Sequence, residues 1–309
     1  MTTAAPVLRR AARAQTRTRA TARRTWVSPA ATPTRSPAEA VLRGVLGLTA
    51  LGAAWLALFG GLLSGLQEAR DQHVLYSAFR QQLAEATAPV AAPVALGAPV
   101  ATLSVPSIGL RDLVVVQGSA ARQLAQGPGH RTDTVLPGQA GVSVLYGRAV
   151  SYGAPFARVP SLRPGARIYV VTGQGRFSYT VERVRRAGSP VSAPVAGSGR
   201  LTLVTAEGRG ALGRWVPTEA VLVDAALERP APAGPVDARQ QDGGVMATGT
   251  ASLVPLVLWL EALVLVGLGA VWAGRRWGVG RAWPVGAGPL LAVLWGTSHA
   301  AWGLLPNLL

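Results

Sequence analysis

The chain has 309 residues, of which 49% are hydrophobic and only 14% charged, and its mean hydropathy is positive, which excludes a disordered or wholly soluble protein. Its formal charge of +16 comes from 30 basic residues, all arginine, set against 14 acids. The absence of cysteine excludes disulfides, thiolate chemistry and cysteine-ligated zinc, and His73, His130 and His299 are too scattered to form a metal site, so neither metal nor cofactor is expected.

The first 43 residues are an Arg-rich tail, in which Arg9 to Arg43 include nine arginines against Glu39 alone. Such a tail suits nucleic acid, but aromatic interleaving is limited to Trp26 and no recognition module follows, so nucleic acid is not expected as a partner. Arginines beside an apolar span mark instead the cytoplasmic side of a membrane. Arg23-Arg24 lies too far from the next apolar run for a compact export signal, so an uncleaved anchor is expected. That run, 44–66, has no charge and is long enough to cross a core of about 30 Å.

Residues 67–100 divide into a helical stalk, with Leu75, Phe79 and Leu83 among polar partners, and an Ala/Pro-rich spacer. From Ala101 short β-branched runs alternate with Gly and Pro: Ala101–Val105, Leu113–Val116, Val142–Tyr146, Ala166–Thr172, Arg176–Val184, Leu201–Val204 and Ala220–Val223. This spacing predicts an all-β sandwich or barrel over 101–226. A Pro/Gly linker, 227–252, leads back to two more apolar segments, 253–273 and 285–308, expected as the second and third transmembrane helices. Arg275, Arg276 and Arg281 fall in the loop 274–284, so tail and loop are both expected in the cytoplasm and 67–252 outside. Glu261 and His299 lie within these spans; they are expected either to pair with each other or, for a neutral Glu261, to hydrogen-bond in a helix contact, with a partner protein among the candidates.

The order of motifs over 101–225 resembles the sortase family, the cell-surface cysteine transpeptidases of Gram-positive bacteria, and its actinobacterial forms in particular. Leu103-Ser104-Val105-Pro106-Ser107-Ile108-Gly109-Leu110 resembles the family's opening strand and turn. Gly127-Pro128-Gly129-His130 with Pro137-Gly138-Gln139-Ala140-Gly141 is similar to its next signature. Gly147-Arg148 before Gly153-Ala154-Pro155-Phe156 resembles the segment with a Gly-His pair, and Leu201-Thr202-Leu203-Val204-Thr205-Ala206 the strand that ends in Thr-Cys.

By this resemblance Arg148 stands at the catalytic histidine position and Ala206 at that of the cysteine. The family's oxyanion-stabilising arginine falls on Arg214, with Arg209 as a competing assignment. A guanidinium stays protonated at working pH and an alanine methyl cannot attack a carbonyl, so two catalytic groups are missing. His130 matches a non-catalytic histidine of the family and is no substitute. Thr205 and Ser143 are the candidate replacement nucleophiles, with Glu207 as the base beside them; the simpler expectation for Glu207 is an ion pair with Arg209 or Arg148.

The resemblance implies a sortase-like barrel that is catalytically silent, and the apolar segments add three transmembrane helices to carry it. Its groove, lined by Arg148, Thr205, Ala206, Glu207 and Arg214, is expected to take sorting-signal or cell-wall peptides, with an active sortase or a surface protein as partner and lipids around the anchor. The rivals are a divergent transpeptidase or hydrolase with a non-cysteine nucleophile, and a structural protein whose transmembrane bundle assembles partners.

Overall fold

The computed structural model describes residues 37–186, 188–189, 197–208, 213, 217–236 and 252–308. Two compact units are distinguished, residues 1–49 and 50–309. The first is described from Pro37, where helix α1 (Pro37–Leu58) begins, with an exposed Arg43–Glu39 ion pair at 3.8 Å one turn apart. In the second unit a π-helical turn, Phe59–Leu63, joins the helical run to α2 (Ser64–Ala84).

The strands are β1 (Pro99–Val105), β2 (Leu110–Gln117), β3 (Gly129–His130), β4 (Gly141–Tyr146), β5 (Arg167–Thr172), β6 (Gly175–Arg186), β7 (Gly199–Glu207) and β8 (Glu219–Leu227), with a single-turn helix α3 (Ala121–Leu124) after β2. They close in the order β1-β2-β3-β4-β7-β8-β6-β5, β5 returning to β1, so the expected all-β barrel is present. The seven expected runs lie within seven of these strands, apart from Ala166, which just precedes β5. The eighth strand, β3, has two residues, too few to show a period of two, and it bridges β2 in parallel and β4 antiparallel.

Alternation gives each strand two faces. Leu145 on β4, Leu201 and Leu203 on β7 and Val223 on β8 point into the main core with Leu103, Ile168 and Val170. Tyr146, Val204 and Ala206 point outward into a second apolar cluster completed by Leu124 and Leu308. β4 and β7 run parallel, so Tyr146 lies beside Val204 and these two strands form the floor of the outer cluster.

The segment expected as a helical stalk is helical as α2 and packs along the barrel. Gln72 on α2 accepts from Val114 N at 2.8 Å and donates to Val114 O at 3.0 Å and Gln126 O at 2.8 Å. Beyond the barrel, α4 (Leu253–Trp277) and α5 (Val279–Trp302) form a hairpin around Gly278, whose φ is 82°. The stretch expected as a loop, 274–284, is thus helical on both sides of one glycine.

Among the described residues two helical runs are long and apolar enough to cross a membrane, Thr49–Ala84 and Leu253–Trp277. The third expected span, 285–308, does not meet that test: Gly, Ser, Thr and His dilute α5, Pro284 and Pro289 lie inside it, and residues 303–308 leave the helix for the barrel.

Candidate functional site

The loop after β4 is shaped by close approaches. A Cβ on Gly147 would collide with the Phe156 ring, which is why glycine precedes Arg148 and an aromatic ends the turn. Gly147 N donates to Val204 O on β7 at 3.0 Å, and Phe156 N donates to Arg148 O at 3.0 Å, closing the loop on itself. Tyr152 holds φ of 50° and Ala154 of 47°, in the left-handed region that costs most residues free energy. α2 clamps this bend, for Ser64 Oγ accepts from Tyr152 N at 2.9 Å and Glu68 lies against Gly153.

Arg148 is 1% exposed, the largest fully buried side chain described. Its Nη1 donates to Ser151 Oγ and its Nη2 to Ala121 O, each at 3.1 Å, and its Cζ lies 4.8 Å from the centre of the Tyr152 ring. A desolvated cation over an aromatic face gains about 2 kcal/mol. Burial lowers the Arg148 pKa to about 10, opposed by Tyr152, so the guanidinium is charged at neutral pH. Burial pushes the Tyr152 hydroxyl up to about 12, opposed by Arg148, and that hydroxyl hydrogen-bonds His299 Nδ1 at 2.9 Å. Arg148, Tyr152 and His299 therefore form a continuous line from the loop to α5.

Ala206 sits at the outer end of β7, 3% exposed and opposite Ala220 of β8. Beside it lies a cleft of about 420 Å³ whose lining includes Ala149, Val150, Pro160, Ser161, Glu207 and Pro217. Thr205 and Ser143 lie on the other faces of β7 and β4 with the core residues, 0% and 1% exposed, and neither hydroxyl has a hydrogen-bond partner among the described residues. Of the five expected groove residues, the structure puts Ala206 and Glu207 at the cleft, buries Arg148 behind it and turns Thr205 into the barrel. Arg214 and Arg209 lie outside the described residues. Glu207 pairs with Arg186 at 3.1 Å, because β6 and β7 both flank β8 and bring the two side chains to the same end; the expected pairing with Arg209 falls outside the described residues.

His130 is fully buried, its Nδ1 2.9 Å from Gln117 Oε1 and its Nε2 2.8 Å from Val135 O, a fixed position inside the barrel wall. Glu261 does not meet His299. It is exposed on α4 beside Val257, Leu260, Val264 and Leu265, whereas His299 turns toward Tyr152, so the expected pairing is replaced by a tyrosine contact. No group of three His, Asp or Glu able to hold a metal occurs among the described residues.

Four residues near this site escaped sequence reasoning: Ser151, Tyr152, Asn307 and Leu308. The first two lie between Gly147-Arg148 and Gly153-Ala154-Pro155-Phe156 without standing out. The last two follow Gly303 and Pro306, helix-ending residues whose signal was overridden by the surrounding leucines.

Residues 103–220, running from β1 into β8, match the family model of the sortase domain. Similar solved structures include a Clostridium perfringens sortase D5 transpeptidase, 18% identical with a TM-score of 0.43, covering 52% of this chain and 99% of that one. Sortase E from Streptomyces avermitilis is 26% identical with a TM-score of 0.37, covering 45% and 93%. Clostridium perfringens sortase C, solved with the C-terminal cell wall sorting motif, is 20% identical with a TM-score of 0.38, covering 53% and 90%. No curated protein matches the chain.

Proposed function

We propose that this chain is a membrane-anchored cell-surface protein whose sortase barrel is catalytically silent and serves as a binding or scaffolding module for sorting-signal or cell-wall peptides. The observation that carries this reading is the pair of residues at the family's catalytic positions: Ala206 offers no nucleophile, and Arg148 is a buried, charged guanidinium that cannot take a proton at neutral pH. A hydroxyl replacement finds no support, since Thr205 and Ser143 are buried on the core side of the strands. The cleft beside Ala206 remains as binding space. In the related sortase C, the bound group is a C-terminal sorting motif, and that ligand class is the one we assign here.

The anchoring half of the proposal rests on α4, which has no buried residue and exposes Val257, Leu258, Leu265 and Leu268. Ser252 at its start lies against Gly303 just past the end of α5, so the Gly278 turn is at the far end of the hairpin. A barrel on the outer side and the Gly278 turn on the cytoplasmic side fit this arrangement. Glu261, exposed on the apolar face of α4, favours a second role for the bundle in partner assembly; replacing it by Leu is expected to abolish that association alone.

The test is to incubate the full chain in lipid nanodiscs with a pool of wall-sorting peptides and an amine acceptor, then identify retained species by mass spectrometry. Retained peptides are expected to be intact, and Ala206→Trp, which fills the cleft, is expected to reduce their retention. Cleaved or transferred peptides would restore an enzyme reading; retention unchanged by Ala206→Trp would remove the cleft from it.

A further inference from the structure

Residues 303–308 leave α5 and run over the outer face of the β4–β7 floor. Leu308 is 0% exposed in the cluster of Leu124, Tyr146, Val204 and Ala206. Its carbonyl accepts from Ala149 N at 2.9 Å, on the loop that carries Arg148. Asn307, 2% exposed, donates from Nδ2 to Ser119 O at 3.1 Å, on the segment leading into α3. The chain thus holds a short, turned piece of itself by a backbone hydrogen bond, a side-chain amide and an apolar anchor, the three kinds of contact by which grooves hold foreign peptides.

The delivery of this piece is also built. Trp55 Nε1 donates to Ser298 Oγ at 2.9 Å, and Phe59 meets Trp295 edge to face with ring centres 5.1 Å apart. Trp302 lies against Gly60, where any side chain would collide with its ring, and His299 holds Tyr152. α5 is therefore fixed up to its last turn, and only a short tether separates it from Leu308.

We infer that residues 305–308 are a built-in ligand of the peptide groove, bound in cis, which an incoming peptide has to displace. The competition with an incoming peptide rests on the peptide-binding reading above; the self-docking does not. A short tether gives the segment a local concentration in the millimolar range. A peptide making the same contacts from solution is accordingly expected to bind the unmodified chain at least about tenfold more weakly than a chain whose segment is undocked.

The chain has no cysteine, so a pair of introduced thiols reports without background. In Ala149→Cys/Leu308→Cys the two residues are hydrogen-bonded neighbours, whose Cα atoms lie roughly 5–6 Å apart, within disulfide reach. Treatment of the full chain in nanodiscs with copper phenanthroline, read by non-reducing electrophoresis and peptide mapping, is expected to give a rapid intramolecular disulfide. No disulfide, or one between two chains, would overturn the proposal. Separately, a fluorescent peptide of sequence Gly-Leu-Leu-Pro-Asn-Leu-Leu is titrated onto the unmodified chain and Leu308→Asp, which places a charge in the outer cluster and leaves the barrel interior untouched. At least about tenfold tighter binding to Leu308→Asp supports displacement, and equal binding to both forms overturns it. If the disulfide forms but neither form binds this peptide or any wall-sorting peptide, cis docking stands and the peptide-binding function falls.

Discussion

The loop 147–156 and the end of β7, 204–207, face each other across the candidate site, and on the proposed correspondence they depart from the sortase pattern in opposite ways. The loop position has gained a large side chain with several partners, Arg148 held by Ser151, Ala121 and the Tyr152 face. The strand position is a simple subtraction, Ala206, with a cleft beside it. A subtraction is easily refilled, whereas a built cluster has to be dismantled before another side chain can work there. The loop is therefore the stronger barrier to restored chemistry.

The largest expected effect breaks the loop itself. Phe156→Ala removes the ring that packs on Gly147 and leaves a cavity in the main core, so it should cost about 3–5 kcal/mol in urea unfolding. The strand side has its own anchor: Asp224 on β8 is fully buried, accepts from Thr202 at 2.9 Å and pairs with Arg185 at 2.7 Å and Arg183 at 3.4 Å. Asp224→Ala strands a buried guanidinium and should cost about 3 kcal/mol. Burial alone would raise the Asp224 pKa, but the Arg185 and Thr202 hydrogen bonds and the two arginine charges outweigh it and hold the carboxyl below its usual value. A lowered folded-state pKa means that this stabilisation is complete above the unfolded value and is lost as pH falls through the folded one. Thermal unfolding of the unmodified chain should accordingly weaken in strong acid, and Asp224→Asn should flatten that part of the profile.

Two smaller effects sharpen the contrast. Arg148→Ala gives up the cation–π contact and two hydrogen bonds but also relieves a buried charge, so about 2 kcal/mol is expected, less than for Phe156→Ala. Ala206→Cys should cost under about 1 kcal/mol, measured by the same unfolding curves, because the cleft accepts one more atom. Its thiol should remain inactive toward sorting peptides as long as Arg148 is present, since the nearby cation offers no base. Peptide turnover by Ala206→Cys alone would show that the loop is no barrier.

Much of the barrel was legible because seven strands are long enough to alternate, and the family motifs fall at their ends. β3 was not, with two residues and no period. Arg148 and Ala206 were singled out by their places in motifs, but the partners that decide what Arg148 does come from Ala121 and from α5 through Tyr152, distant in sequence. The sharpest failure concerns Leu308, assigned to a membrane span because a leucine bound for lipid and one bound for a protein groove carry the same hydropathy. A pairing of Glu261 with His299 was one of two readings open for ionisable groups in apolar segments, and only the rotation of α5 shows that His299 faces the barrel.

Catalytic silence is tested by intact-mass measurement of the full chain after incubation with sorting peptides and an amine acceptor from mildly acid to mildly alkaline pH. A silent barrel leaves the protein mass unchanged and gives no transferred product throughout that range, because Arg148 would have to lose its proton near pH 10 before it could act as a base. An acyl adduct on any residue of the unmodified chain, or a peptide joined to the amine, would contradict it.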